Sequence, residues 1–593
     1  MYNAPCVLKL KASSVHERSI FNQYRILNSS VRLGASRPIV FAVHGVGVVD
    51  GKWVSNIGEA QRVIDETELD YESLGASIKG SITVYIVDVP SQKIILLCDP
   101  FGSSIVYVYE SDACKAVSSD LASLRDGLST VGIHLEKDLT YAALYVATNT
   151  GGLAQSSYMN VRSIEPFRYL SLDVDEFHEV EYKSLDNLSF PSYSYDELLD
   201  KAANDVIQNI EAASTHNSRA KISQLTGGAD SRLVLGALLA SGKETEFNFY
   251  CSGNINEPDK IISRQLSNQF DLSMTDYSGL NPMGQPDTFE DFISQPFDTT
   301  AGILSGPAHP MLEFGDELVF SGGYGEFLRS AFDKGQRYDG DVATAMKRIY
   351  GNTAFSEFPS RRLISEPAYE FAINRFSNLI SFGITRGLPE DSRLDAAYIV
   401  GRNRYFVGET TRSLSPFVAR FDPLYSPYVL ALGLKASLEE KASAFPLFDL
   451  MNRFEPTLMK LPFDSPRIKP YYEEMRGPVS RVDFTYDPSI EPRMVIYKHN
   501  HRSRKTMKSY FQKPSSSDIA IANDLHTAPR LVAQNAEVQK RLRVLVSDTG
   551  MESISKYFNP LIVNLIINRK PTHRVHLRQS SNLYAALLWY LRS

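Results

Sequence analysis

Cysteine is scarce: Cys6, Cys98, Cys114 and Cys251 are the only four among 593 residues, scattered, with no C-x-x-C pair and no histidine cluster beside them. That distribution argues against a structural zinc site and a disulfide framework, and it fits a reducing compartment. No stretch approaches the roughly 18 continuous apolar residues of a membrane helix. The longest are Ile94–Cys98 and Leu561–Ile567, the latter interrupted by Asn564. Met1-Tyr2-Asn3-Ala4-Pro5 lacks a basic segment leading into an apolar core, so no signal peptide is expected. Basic excess is missing too: 69 acidic against 62 basic residues give a net charge of −7, which points away from a bulk nucleic-acid binder. There is no repeat of 20–50 residues and no low-complexity segment beyond polar runs such as Ser515–Ser517. These absences lead to the expectation of a cytoplasmic protein with no nucleic-acid and no membrane partner.

What is present is ordinary globular composition, 43% apolar and 22% charged. At about 150 residues per domain, the length suits two or three large domains. Through residue ~180 the chain is dominated by short β-like runs. Ser81–Val89 and Lys93–Cys98, rich in β-branched residues and separated by Pro90-Ser91-Gln92, predict a hairpin, with Val106–Tyr109 following. After a compositional break near Tyr182–Ser194 comes a periodic helix: Leu198, Ala202, Val206 and Ile210 in one row, Leu199, Ala203 and Ile207 in the next. Ser194 and Glu197 form a capping box at its start. Strands at Lys221–Leu225, Phe247–Tyr250 and Glu317–Phe320 then alternate with helices at Ser231–Ala240, closed by Gly242, and Asp259–Phe270. Such alternation predicts a parallel sheet covered on both faces, with ligands at the carboxyl ends of its strands. Beyond ~340 the chain reads as helices and loops. Leu583–Leu591 is apolar enough to dock as a helix, and Pro466–Pro492 is left unplaced.

Between the first parallel strand and its helix stands Thr226-Gly227-Gly228-Ala229-Asp230-Ser231-Arg232. Two glycines let the backbone turn sharply and offer N–H groups to a phosphate. Thr226 and Ser231 add hydroxyls, and the helix directs its positive end at the same spot. Asp230 suits a Mg²⁺ that bridges phosphates. No Gly-Lys-Ser/Thr follows, so this is not a Walker A loop. The plain alternative is a tight βα turn with Ser231 as a helix cap. Arg232 could hold phosphate or lie on the surface of the first helical turn.

Thr226–Ser231 resembles the S-G-G-x-D-S pyrophosphate loop of the asparagine synthetase-like ATP pyrophosphatases. Other segments carry the same resemblance in the same order. Asn256-Glu257-Pro258-Asp259 is similar to the segment beside the family's adenine pocket. Ser321-Gly322-Gly323-Tyr324-Gly325-Glu326 is similar to its S-G-x-G-x-D-E loop. Pro416–Pro427, with Asp422-Pro423-Leu424, is similar to a weakened R-x-P-F-L-D element. In the first part, Gly80–Asp88, Leu97-Cys98-Asp99-Pro100-Phe101-Gly102, Tyr107, Val117–Leu121 and Tyr158–Pro166 resemble the family's glutaminase-type domain. The resemblance spans about residues 75–465.

It implies a two-domain α/β protein. Residues 1–185 would form an Ntn-hydrolase-like α+β sandwich. Residues 186–593 would form a parallel-sheet PP-loop ATP-pyrophosphatase domain with a helical C-terminal part. It also implies ATP and Mg²⁺ as cofactors. Thr226, Gly227, Gly228, Asp230, Ser231, Arg232, Tyr250, Ser321 and Gly322 would contact the nucleotide, and Asp230 and Glu326 would hold the metal. The implied chemistry is activation of a carboxylate as its acyl-adenylate, with release of pyrophosphate and displacement of AMP by an amine.

Three departures qualify it. A class II glutaminase needs an N-terminal cysteine, but position 2 is Tyr2, and Cys6 follows Pro5. Cys6 is either exposed by trimming or a small apolar residue of the core, and in the second case the domain is an inert support. The acid of the second loop is Glu326, followed by Phe327; Glu326 could instead cap a helix. Tyr324 could join a proton relay, as in lactam-forming members, or simply pack. For a cation on the leaving phosphates the sequence offers Lys498, Lys505 and Lys508, with Lys505 taken as catalytic, although Lys498–Lys513 also reads as a solvated basic face.

The expected activity is therefore amide formation on a small-molecule or peptide carboxylate, with the amine already on a substrate or supplied as ammonia. A precursor peptide with its protease or leader-binding protein is the partner this implies. Asparagine synthesis and a nucleotide-binding pseudoenzyme remain as alternatives.

Overall fold

The computed structural model describes residues 4–10, 24–28, 37–67, 69–173, 176–188, 190–252, 256–275, 288–303, 317–330, 332, 337–351, 355–415, 418–482, 491–495, 513–525 and 527–592. Its described residues form a mixed α/β protein, with two five-stranded antiparallel sheets and a two-stranded one (Gly47–Val49 with Lys52–Val54) in the first third, a parallel sheet in the middle and many helices towards the end.

The first antiparallel sheet orders its strands Val161–Ser163, Tyr107–Glu110, Cys114–Ser118, Cys6–Leu10 and Tyr24–Leu27; the second orders Phe177–Glu181, Arg168–Leu172, Lys93–Cys98, Ile82–Asp88 and Ile39–Gly45. Side chains alternate across a strand, so a run apolar at every position must be covered on both faces. Lys93–Cys98 shows this directly. Ile94, Leu96 and Cys98 enter a layer shared with Val7, Val108 and Val117 of the other sheet, while Ile95 and Leu97 join the large core on the opposite side. The hairpin expected at 81–98 is present, with Val84 opposite Leu97 and Ile86 opposite Ile95.

The helix Tyr195–Ser214 opens on the predicted capping box: the Glu197 N–H donates to Ser194 Oγ at 3.2 Å, and the Ser194 N–H donates to Glu197 Oε2 at 2.7 Å. The parallel sheet follows, in the order Ala419–Phe421, Glu317–Phe320, Ala220–Gln224, Asn248–Tyr250, Ser273–Thr275, Met494–Val495. Helices Ala229–Ala240 and Pro258–Gln269 connect consecutive strands, as the alternation predicted. The first begins two residues earlier than expected, which places Asp230 and Ser231 inside its first turn. Pro470–Arg476 forms a helix within the stretch the sequence left unplaced.

A buried polar seam joins the first third to the rest. Arg404 donates to the carbonyls of Gly102 (3.0 Å) and Ile164 (2.9 Å), Arg412 pairs with Asp120 at 2.8 Å, and Lys79 pairs with Asp205. Arg404 belongs to an unusual π-helical stretch, Tyr398–Gly408. The C-terminal helix, Arg574–Leu591, docks as expected and reaches back to the first third. Trp589 packs against Tyr158, and Lys137 Nζ donates to the Trp589 carbonyl at 2.6 Å. Among the described residues no helix is long and apolar enough to cross a membrane.

Candidate nucleotide and metal site

Ala220–Gln224 and Glu317–Phe320 are neighbours in register, Ile222 opposite Val319, so the loops leaving their carboxyl ends lie side by side. These are the two glycine-containing loops singled out in the sequence. They touch: a Cβ on Gly325 would stand 2.8 Å from Asp230 Oδ1, and one on Gly322 would stand 2.9 Å from the Asp230 carbonyl carbon. Glycine is therefore required at both positions for close approach.

Asp230 sits in the first helical turn, and its Oδ2 accepts from Arg329 Nη2 at 2.6 Å. Asp230 Oδ1 and Glu326 Oε2 are buried with no hydrogen-bond partner among the described residues. Burial first, and the charge of Asp230 second, push the Glu326 carboxyl up to about 7 against the opposing pull of Arg329 and Arg402. Such a shift means two carboxylates sharing a poorly solvated space. No group of three His, Cys, Asp or Glu side chains that could hold a metal occurs among the described residues. Magnesium needs only one or two carboxylates beside phosphate and water, so two orphaned oxygens on facing loops fit it.

The first loop is more closed than its composition suggested. The Thr226 N–H donates to Ser231 Oγ at 3.0 Å, and the Gly228 N–H donates to Thr226 Oγ1 at 3.1 Å. The Gly227 N–H donates to Asp259 Oδ1 at 2.8 Å, so this amide already faces a carboxylate. Helix Ala229–Ala240 has Gly228 as its N-cap and no side-chain cap, which leaves the positive helix end for an anion. Asp464 crosses above: its N–H donates to the Gly227 carbonyl at 3.1 Å, and its carboxylate holds Arg467 through Nε (2.9 Å) and Nη2 (2.7 Å). Asp464 and Arg467 line a cleft of about 510 Å³ that also takes in Phe463 and Arg481.

The other residues named from the sequence are placed variously. Ser321 donates to Asp422 Oδ1, and the Gly323 N–H donates to the same oxygen at 3.2 Å, so Asp422 braces the second loop. Tyr250 pairs with Gln224 in the sheet and packs beside Ile222 and Val319.

Two residues need correction. Arg232 is neither on the surface nor at the loop. It is fully buried, its guanidinium donates to the carbonyls of Leu458 (3.0 Å), Leu461 (3.0 Å) and Pro462, and it stacks 3.7 Å from the Phe463 ring centre. The helical period turns position 232 inward, where it secures the segment carrying Asp464. Tyr324 is likewise buried, at φ 70°, bonded to Ser103 Oγ, with its ring against Phe101 and Tyr425. It anchors the second loop to the Asp99-Pro100-Phe101 turn, its hydroxyl meeting Ser103. Lys498, Lys505 and Lys508 lie outside the described residues.

Cys6 opens the strand Cys6–Leu10, is fully buried, and has its thiol pushed up to about 12, mainly by burial. It is a packed thiol, as the second of the two expectations had it.

Sequence reasoning missed Arg329, Arg467 and the stretch Tyr398–Gly408. Tyr398 accepts from Arg402 Nη1 at 3.0 Å, and burial followed by the charge of Glu326 raises its hydroxyl pKa. A lone arginine has no spacing signature. The one available hint was that Arg329 lies three residues after Glu326.

No protein-family model matches the chain, and no curated protein does. Among solved structures it is similar to the glutamine phosphoribosylpyrophosphate (PRPP) amidotransferase from B. subtilis complexed with ADP and GMP. The identity is 11%, the match covers 50% of this chain and 63% of that one, and the TM-score is 0.15. The chain thus spans less than two thirds of that protein, and at such a score the likeness carries no argument about the site.

Proposed function

We propose that the chain is an ATP-dependent carbon–nitrogen ligase of the asparagine synthetase-like type, with an inert glutaminase-like first domain. The observation that carries this is the pair of orphaned carboxylate oxygens, on Asp230 and Glu326, held on touching loops at the carboxyl ends of neighbouring parallel strands. In parallel α/β sheets that is where ligands bind. Asp230 and Glu326 would hold a magnesium ion, which when bound supplies charge neutralisation on the phosphates. The uncapped end of helix Ala229–Ala240 would take a phosphate.

In the reaction, a substrate carboxylate oxygen attacks the α-phosphorus. The bond from that phosphorus to the bridging oxygen breaks, and pyrophosphate leaves with the electron pair. An amine then attacks the acyl carbon, AMP departs with the C–O pair, and the amine proton passes to solvent or a base. The enclosed Cys6 thiol is unsuited to releasing ammonia from glutamine, which favours an amine already present on a small-molecule or peptide substrate. Pyrophosphate release should depend on an added carboxylate, be indifferent to glutamine, and disappear in Asp230→Ala. Glutamine-stimulated asparagine formation would instead assign an asparagine synthetase.

A second reading, a nucleotide-binding scaffold without turnover, is favoured by the Asp259 carboxylate on the Gly227 amide. It requires ATP binding with no AMP formed from any carboxylate.

A further inference from the structure

We propose that Arg329 and Arg467 are the cations that hold the pyrophosphate leaving group, Arg329 doing so by trading Asp230 for phosphate. The inference rests on the ATP reading above and names residues to which neither the motifs nor the comparisons give a role.

Arg329 uses Nη2 to reach Asp230 Oδ2 at 2.6 Å while its side chain stays 36% exposed, and among the described residues its other guanidinium N–H donors meet no second hydrogen-bond partner. Arg467 grips Asp464 with two nitrogens and is 41% exposed. Each guanidinium therefore stands on a carboxylate that borders the glycine pair: Asp230 two residues beyond Gly228, Asp464 bonded to the Gly227 carbonyl. Asp464 lies hard against the glycine pair, since a Cβ on Gly227 would stand 2.8 Å from its Cβ, and its bond is foremost among the influences that raise the Arg467 pKa. Arg232, the residue nearest in sequence, is committed to backbone carbonyls and is not available.

The chemistry calls for such groups. When the α-phosphorus loses its bridging oxygen, the electron pair stays on that oxygen and negative charge builds on the pyrophosphate; positioned guanidinium donors stabilise it. Asp230 carries a single negative charge, so a divalent ion on its orphaned Oδ1 would weaken the hold of its Oδ2 on Arg329. Turning Asp230 towards a cation would release Arg329 beside the incoming phosphates, where its charge finds new partners. Metal and arginine therefore compete for one carboxylate.

That competition gives a signature. Replacing Arg329 by Met should weaken inorganic pyrophosphate binding, measured by calorimetry with magnesium present, at least ~10-fold. The same variant should bind Mn²⁺ alone more tightly, by about threefold or more in an electron paramagnetic resonance titration, because Asp230 has lost its resident cation. Arg329→Lys keeps the charge but not the fork, and should fall between. Arg467→Met should weaken pyrophosphate while leaving Mn²⁺ within about twofold of wild type, since Asp464 is not placed as a ligand. Melting temperatures identify a misfolded variant, and Arg329→Lys then carries the test.

If Arg329→Met weakens both ligands, the residue is a structural support and the inference is overturned. It is also overturned if pyrophosphate binding is unchanged in the Arg329 and Arg467 variants, or is lost instead in Lys505→Met. A wild-type chain that binds neither Mg–ATP nor pyrophosphate overturns the ATP reading itself, a result distinct from failure of the arginine variants alone.

Discussion

Asp230 is the residue on which two loops converge, with Gly322 and Gly325 of the second loop pressed against it. Gly325→Ala would bring a methyl group within 2.8 Å of its Oδ1. Either the carboxyl or the second loop must then shift, and a shift of this size moves the two acids out of joint range. Mg–ATP binding, followed by calorimetry, should weaken at least ~10-fold, with stability falling by about 1–3 kcal/mol. Glu326 offers a pH test. Its carboxyl is held up to about 7 in the fold, against 4.5 as the ordinary value. The group is protonated in both states below about pH 4.5 and imposes no penalty there. As pH rises towards 7 the unfolded chain ionises first, so the fold loses stability across that window and no further above it. Glu326→Gln removes the loss. Urea unfolding of wild type and variant should diverge between pH 4.5 and 7 in favour of the variant. Parallel curves would show that Glu326 is not held protonated.

Among elements, the helix after the glycine loop does two jobs with residues two positions apart: Asp230 faces the loop, and Arg232 faces the interior. Burial lowers the Arg232 pKa to about 9, yet its three carbonyl contacts and its ring contact persist. Arg232→Met would leave carbonyls at 458, 461 and 462 without these donors, lowering stability by about 2 kcal/mol in urea unfolding. Arg232→Lys would not restore it, because an ammonium cannot replace the planar fork.

This helix also marks how far sequence reading reached. Apolar period and capping box revealed Tyr195–Ser214, and the strand–glycine–helix pattern revealed the loop, because both are written in consecutive residues. The inward turn of Arg232 was not legible, since a charged residue in a first helical turn ordinarily faces water. Nor was Arg329 on Asp230: 99 positions separate them, and the contact exists only once neighbouring strands bring their loops together. For Tyr324 the sequence left relay and packing both open, for a related reason. Its loop has two sides, and the aromatic one faces the Phe101 turn, a surface no local pattern announces.

For the whole molecule, the seam between the first third and the remainder matters most. Arg412 is buried with Asp120 at 2.8 Å and with Glu409, whose Oε1 accepts from its Nε at 2.9 Å. Removing the cation leaves two acids enclosed without their counter-charge, Asp120 keeping only its bonds from Ser123, so Arg412→Met should destabilise by about 3–5 kcal/mol. Because the seam is shared, calorimetry should show the entire transition moving down together. A variant in which only one of two resolved transitions moves would mean that the parts melt independently.

The reach of the C-terminal helix back to Lys137 and Tyr158 has a practical corollary. The connection entering helix Tyr195–Ser214 is open to solvent at Pro191 and Ser192. A protease that nicks the backbone there severs one covalent link but none of the contacts that clasp the pieces from the far side. The cleaved product should migrate as a single species on a native gel and as two bands in detergent.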